Sequence, residues 1–208
     1  MRTIRTKIYK FNELSKAAKQ TAIEWWKNGE TFDYLYEEAW ESLKKFCEVF
    51  NIDMDSYDFN EPYRSRYSYD LDDKVMELTG QRLATYIWNN YKTSLYKGKY
   101  YSLWSKTEVS YKHHKEGHPV LKKRYSKCQI VCECPFTGTC YDMDLLDPIV
   151  KFMQKPSNRI DFKHLLEDCL SSLCKSLEGE IKARMEDDAV IEAIEANEYE
   201  FTKEGNRF

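Results

Sequence analysis

Apolar residues along this chain follow two spacings, and the alternation between them lays out the elements. From residue 32 to 50, Phe32, Tyr36, Ala39, Leu43, Phe46 and Phe50 recur three or four positions apart, with Trp40 and Cys47 beside them. That spacing lines one side of a helix and predicts an amphipathic one. A helix over 16–28 follows from Ala17, Ala18, Ala22, Ile23, Trp25 and Trp26, with Ser15 as its cap and Asn28-Gly29 as its end. Leu83, Ala84, Ile87, Trp88 and Tyr91 predict a helix over about 80–92. Leu166, Leu170, Leu173, Leu177 and Ile181 predict a long one over 160–185, and a short acidic one follows over 188–196. Asp142 or Asp144 is read as the cap of a further helix holding Leu145, Leu146, Ile149, Val150 and Met153. In that reading Pro148 occupies the first turn, where a missing N–H costs nothing, and Pro156 stops the helix.

The second spacing is alternation by two. Ile4, Thr6 and Ile8 share one face over residues 3–9, which predicts a half-buried strand. Residues 51–73 alternate aromatic and polar positions and predict one or two strands with a turn at Asn60-Glu61-Pro62. Cys128, Ile130, Cys132 and Cys134 alternate in the same way, and EYEFT near the end reads as a last strand. Strands and helices are interspersed without regular β-α-β order. The expected class is therefore α+β, a small, mainly antiparallel sheet packed with several amphipathic helices. The 208 residues are read as a single domain, with a possible subdivision at a basic extended insertion near 92–133.

Composition narrows the picture. Aromatic residues make up 15% of the chain and Gly (7) and Pro (5) are scarce, which argues against disorder and against a glycine-rich phosphate loop. No apolar run reaches the roughly 18 residues of a membrane span, and the first residues carry no apolar leader. The expectation is a cytoplasmic protein, without membrane attachment, whose seven cysteines remain thiols.

Charge is distributed unevenly beneath a net −3. Residues 48–78 carry nine acidic and three basic groups; residues 92–127 carry ten basic and two acidic ones. The stretch 178–204 is acidic again, with ten acidic and three basic groups. Lys97, Lys99, Lys106, Lys112, Lys122, Lys123 and Arg124 interleave with tyrosines, a pattern suited to phosphates and unpaired bases. A lysine-rich outer face of a strand pair has the same signature. In the acidic stretch, Asp53, Asp55, Asp58 and Asp70 sit among Tyr57, Tyr63, Tyr67 and Tyr69. Carboxylates spaced among aromatic anchors suit a basic groove on another protein, though a solvated face has the same composition.

Signals for chemistry are sparse. Cys128, Cys132, Cys134 and Cys140 place four thiols within thirteen residues, but without the C-x2-C knuckles usual for zinc. Small apolar positions on a sheet's inner face explain the first three as well. No G-x-S-x-G, H-E-x-x-H, Walker A or G-x-G-x-x-G string occurs, so a non-catalytic protein without a cofactor is expected.

Three strings carry a resemblance: FNELSKAAKQTAIEWW (Phe11–Trp26), CPFTGTCYDMDLLDPI (Cys134–Ile149) and ANEYEFTKEG (Ala196–Gly205). They resemble the opening, middle and closing segments of an uncharacterised family of small phage and prophage proteins. The resemblance implies a phage origin and action inside the host cell, and it carries over no catalytic residue. The function expected on that basis is inhibition of a host defence nuclease, in the manner of an anti-CRISPR protein, by blocking a host protein or its nucleic-acid complex. The alternatives are a nucleic-acid-binding regulator or antitoxin, with direct nucleic-acid contact, and a small zinc-stabilised protein.

Overall fold

The structure is a computed structural model, and it describes residues 7–95 and 134–208. The fold is α+β, with helices predominating and two small antiparallel two-stranded sheets among the described residues. The chain forms two compact units, one of residues 1–37 with 175–208 and one of residues 38–174. The divisions fall within helices α2 (Asp33–Phe50) and α6 (Phe162–Arg184).

In the first unit, helix α1 (Lys16–Gly29) begins where the Ser15 hydroxyl accepts the Ala18 N–H at 3.3 Å. Such a cap satisfies one of the N–H groups a helix start leaves open. Strand β1 (Tyr9–Lys10) pairs antiparallel with β4 (Glu200–Phe201), so the two ends of the described chain share one sheet. Residues 3–6 of the strand expected over 3–9 lie outside the described residues. Helix α7 (Asp187–Ala196) packs on α1, and Lys27 reaches Asp187 at 2.6 Å. Ala18, Ala22, Ile23, Val190, Ile194, Phe11 and Phe201 form the buried cluster between these elements.

The second unit is built on aromatic packing. Buried Phe50 of α2 lies 4.7 Å from Phe46, 4.7 Å from Tyr91 and 6.1 Å from Phe162, ring centre to ring centre. Tyr91 belongs to α4 (Gly80–Leu95) and Phe162 opens α6. Helix α5 (Tyr141–Gln154) adds Leu145, Leu146 and Ile149, all fully buried. Strands β2 (Ile52–Ser56) and β3 (Arg66–Tyr69) form the expected hairpin, with a 3-10 turn at Pro62–Arg64 between them. A short helix, α3 (Asp73–Met76), follows, which the sequence pattern does not predict because one turn is too short to show periodicity.

Three local expectations are corrected. Neither Asp142 nor Asp144 caps α5: the helix starts at Tyr141, the N-cap is Cys140, and both aspartates lie inside its first turn. Pro148 is therefore well inside the helix and not in its first turn. Having no N–H, it contributes no bond back along the helix. The third concerns the strand expected through Cys134. Residues 128–133 lie outside the described residues, and Cys134 itself is not in a strand and has φ 26.

Candidate functional site

The β2–β3 hairpin separates the two residue types that the sequence places together. In its register Ile52 faces Tyr69 and Met54 faces Tyr67, while Asp53 faces Ser68 and Ser56 faces Arg66. Because side chains alternate across a strand, Ile52, Met54, Tyr67 and Tyr69 share the inner face. Asp53 and Asp55 stand on the outer face, and Asp70 is exposed just past the end of β3. A register irregularity between Met54 and Ser56 leaves Asp55 as an extra residue in its strand.

The remaining predicted residues divide in the same way. Tyr57 is half-buried, with its hydroxyl 3.1 Å from the Cys174 sulfur and donating to the Leu170 carbonyl at 3.4 Å. Asp58 is occupied within the loop: one carboxylate oxygen accepts the N–H groups of Asn60 (2.9 Å) and Glu61 (3.0 Å). It shapes the turn more than it presents charge. Tyr63 is 78% exposed and donates to Glu61 at 3.0 Å. Arg64 lies over the Tyr63 ring and pairs with Glu61, so this tip is a small mixed-charge cluster.

Beside the hairpin lies an open groove of about 390 Å³. Tyr67, Ser68 and Tyr69 supply one wall, Leu71, Asp73 and Met76 the next, and Lys163 and Glu167 of α6 the third. The Tyr67 and Tyr69 rings meet edge to face at 5.8 Å. Burial pushes the Tyr69 hydroxyl pKa up, and neighbouring Tyr67 and Glu167 add to the effect. Burial, then Glu167, raise that of Tyr67. Both phenols therefore stay protonated at neutral pH. The sequence pattern singles out the two tyrosines, and its acidic stretch includes Asp73, but it does not point to Lys163 or Glu167. Glu167 follows the buried Leu166 directly, at the margin of the α6 stripe, and that boundary position is its only trace in the sequence.

At the start of α6, Asp161 accepts both the backbone N–H and the ring nitrogen of His164, each at 2.8 Å. Slight burial opposes ionisation of Asp161, but the two His164 bonds outweigh it and its pKa is lowered. The hydrogen bond to Asp161, then its charge, raise the pKa of exposed His164. The raised histidine stabilises the fold below its ordinary 6.5, and the effect is lost as pH rises through the folded value. The lowered aspartate stabilises above its ordinary 3.8, and the effect is lost as pH falls through its folded value. In a pH titration followed by NMR, His164 should titrate above 6.5 and move down toward it in Asp161→Asn, which keeps the cap. Identical midpoints in the two proteins would exclude the pair.

Three of the described cysteines, Cys47, Cys169 and Cys174, are held as neutral thiols. Burial, with a contribution from Glu48, pushes the Cys47 thiol up to about 12. Burial also raises Cys169 and Cys174. A thiol so raised is not a thiolate at neutral pH. Among the described residues, no group of three or more His, Cys, Asp or Glu side chains could hold a metal. Cys128 and Cys132 lie outside the described residues, as do Lys97, Lys99, Lys106, Lys112, Lys122, Lys123 and Arg124.

The CPFTGTCYD string has a different centre, the fully buried carboxylate of Asp142. One oxygen accepts the N–H groups of Phe136 (2.8 Å), Thr137 (2.8 Å) and Gly138 (3.1 Å). The other accepts the hydroxyls of Ser42 (2.7 Å) and Thr137 (2.9 Å). Ser42 is itself fully buried on the apolar side of α2, and it lies 3.0 Å from the Thr139 hydroxyl. Each hydroxyl has partners within the network, so this is an anchor for the loop and not a reactive dyad. No helix among the described residues is long and apolar enough to cross a membrane. No family model, curated protein or solved structure matches the chain.

Proposed function

We propose that this chain is a phage-encoded, non-catalytic interaction protein that inhibits a host defence nuclease by occupying a basic surface on it. One observation carries the choice of surface: Asp53, Asp55 and Asp70 are exposed at the hairpin, while its strand tyrosines, Tyr67 and Tyr69, turn inward. A rigid strand pair holds these charges at fixed spacing, which favours electrostatic docking over a flexible acidic tail. Asp72 and Asp73 extend the exposed charge beyond Asp70. The phage origin rests on the three strings.

The test is capture of a host protein from infected cells, followed by affinity measurement with the triple variant Asp53→Asn, Asp55→Asn, Asp70→Asn. Asp58 is left intact because its removal disturbs the loop. The dissociation constant should rise tenfold or more in moderate salt. An unchanged constant rejects this surface. The ten cations of residues 92–127 favour a second reading, a nucleic-acid-binding regulator or antitoxin. It requires a gel shift at low salt that disappears when Lys122, Lys123 and Arg124 are neutralised.

A further inference from the structure

We propose that the groove beside the hairpin seats one arginine side chain of the basic partner. This inference rests on reading the acidic hairpin as a contact surface, and it names the anchor within that surface.

Glu167 is the central observation. It is half-buried, it lies close enough to Tyr67 and Tyr69 to oppose ionisation of both phenols, and it forms no ion pair among the described residues. A half-buried carboxylate with no cation beside it is open to a charge-assisted bond from a cation that a partner supplies. Lys163 precedes it by one helical turn, lines the groove and is exposed. With Asp73 the lining carries two carboxylates against one cation, and exposed Asp70 and Asp72 are neighbours in the chain.

The other walls select among cations. Tyr67 and Tyr69 offer aromatic surface, on which a planar guanidinium stacks better than a compact ammonium. Glu167 can accept two parallel N–H bonds from a guanidinium, a geometry that lysine cannot supply. Leu71 and Met76 provide apolar surface for the methylene stem, as long cationic side chains prefer. Arginine anchors in aromatic-walled pockets are frequent centres of binding energy at interfaces.

The probe is N-acetyl-arginine amide, titrated into the isotopically labelled full-length protein and followed by NMR. N-acetyl-lysine amide and N-acetyl-glutamine amide serve as comparators. Saturable shifts should centre on Tyr67, Tyr69 and Glu167 with the arginine probe, at least threefold weaker binding should appear with lysine, and none with glutamine. Glu167→Gln should weaken arginine binding about tenfold. Asp73→Asn, an exposed change that leaves the fold intact, should weaken it about threefold and serves if the first variant does not fold. Absence of saturable shifts, equal response to glutamine, or no effect of either variant overturns the inference. If the triple aspartate variant loses the partner while the groove ignores arginine, the contact surface stands and the anchor falls. If arginine binds the groove while the triple variant keeps full partner affinity, the hairpin surface falls, and the groove remains an arginine site without that partner.

Discussion

Asp142→Ala is expected to lower the unfolding free energy by about 3 kcal/mol, one of the two largest single-residue effects anticipated here. The side chain is fully buried and accepts five hydrogen bonds, three from backbone N–H groups of the 136–138 loop. Removing it deletes charge-assisted bonds and strands their donors, and a stranded buried donor costs about 1–3 kcal/mol. The loop is partly exposed, so water rescues some of them, which holds the total near the lower end of the sum. Ser42→Ala removes one donor and leaves the carboxylate its other four bonds, so about 1 kcal/mol is expected there. Urea denaturation followed by circular dichroism measures both. A loss below about 1 kcal/mol for the alanine at 142 would show that the carboxylate does not hold the loop.

Gly205→Ala should cost a similar amount for a different reason. Gly205 has φ 90, in the left-handed half of the map that a Cβ disfavours. A Cβ there would also lie 2.1 Å from the Ala18 carbonyl oxygen and 2.8 Å from its carbon, which are helix backbone atoms unable to swing aside. The turn must lift from α1. With it go the bonds Thr202 N–H to Asn206 O (2.8 Å) and Phe208 N–H to Glu200 O (2.9 Å). Strain of about 1–2 kcal/mol and overpacking of about 1–3 kcal/mol together give about 3 kcal/mol. Arg207 lies 5.1 Å from the Trp25 ring centre and 4.8 Å from that of Tyr199, so lifting the turn also alters tryptophan emission. Arg207→Ala removes only that cation and should cost less than about 1 kcal/mol. Equal stability of Gly205→Ala and the parent protein would mean that the turn does not press on α1.

The helices are legible in the sequence because each buries one stripe. Leu43, Phe46 and Phe50 repeat at the helical period, and the structure buries them fully. Ser15 and the Asn28-Gly29 pair mark the ends of α1 because start and stop chemistry is local. The hairpin is legible too, since period-two alternation and a proline turn are local signals.

What sequence by itself determines about this chain is therefore the α+β class, most helix spans and the strands and turn within 51–73. Tertiary structure alone decides that Asp142 gathers a loop instead of capping a helix, because its partners include Ser42, a hundred residues earlier. It alone sets Glu167 beside Tyr67 and Tyr69, since the groove joins a strand to a helix far along the chain. The physical reason is range. Periodicity and capping act over a few residues of one segment, whereas a buried polar contact depends on which distant segment folding brings within about 3 Å.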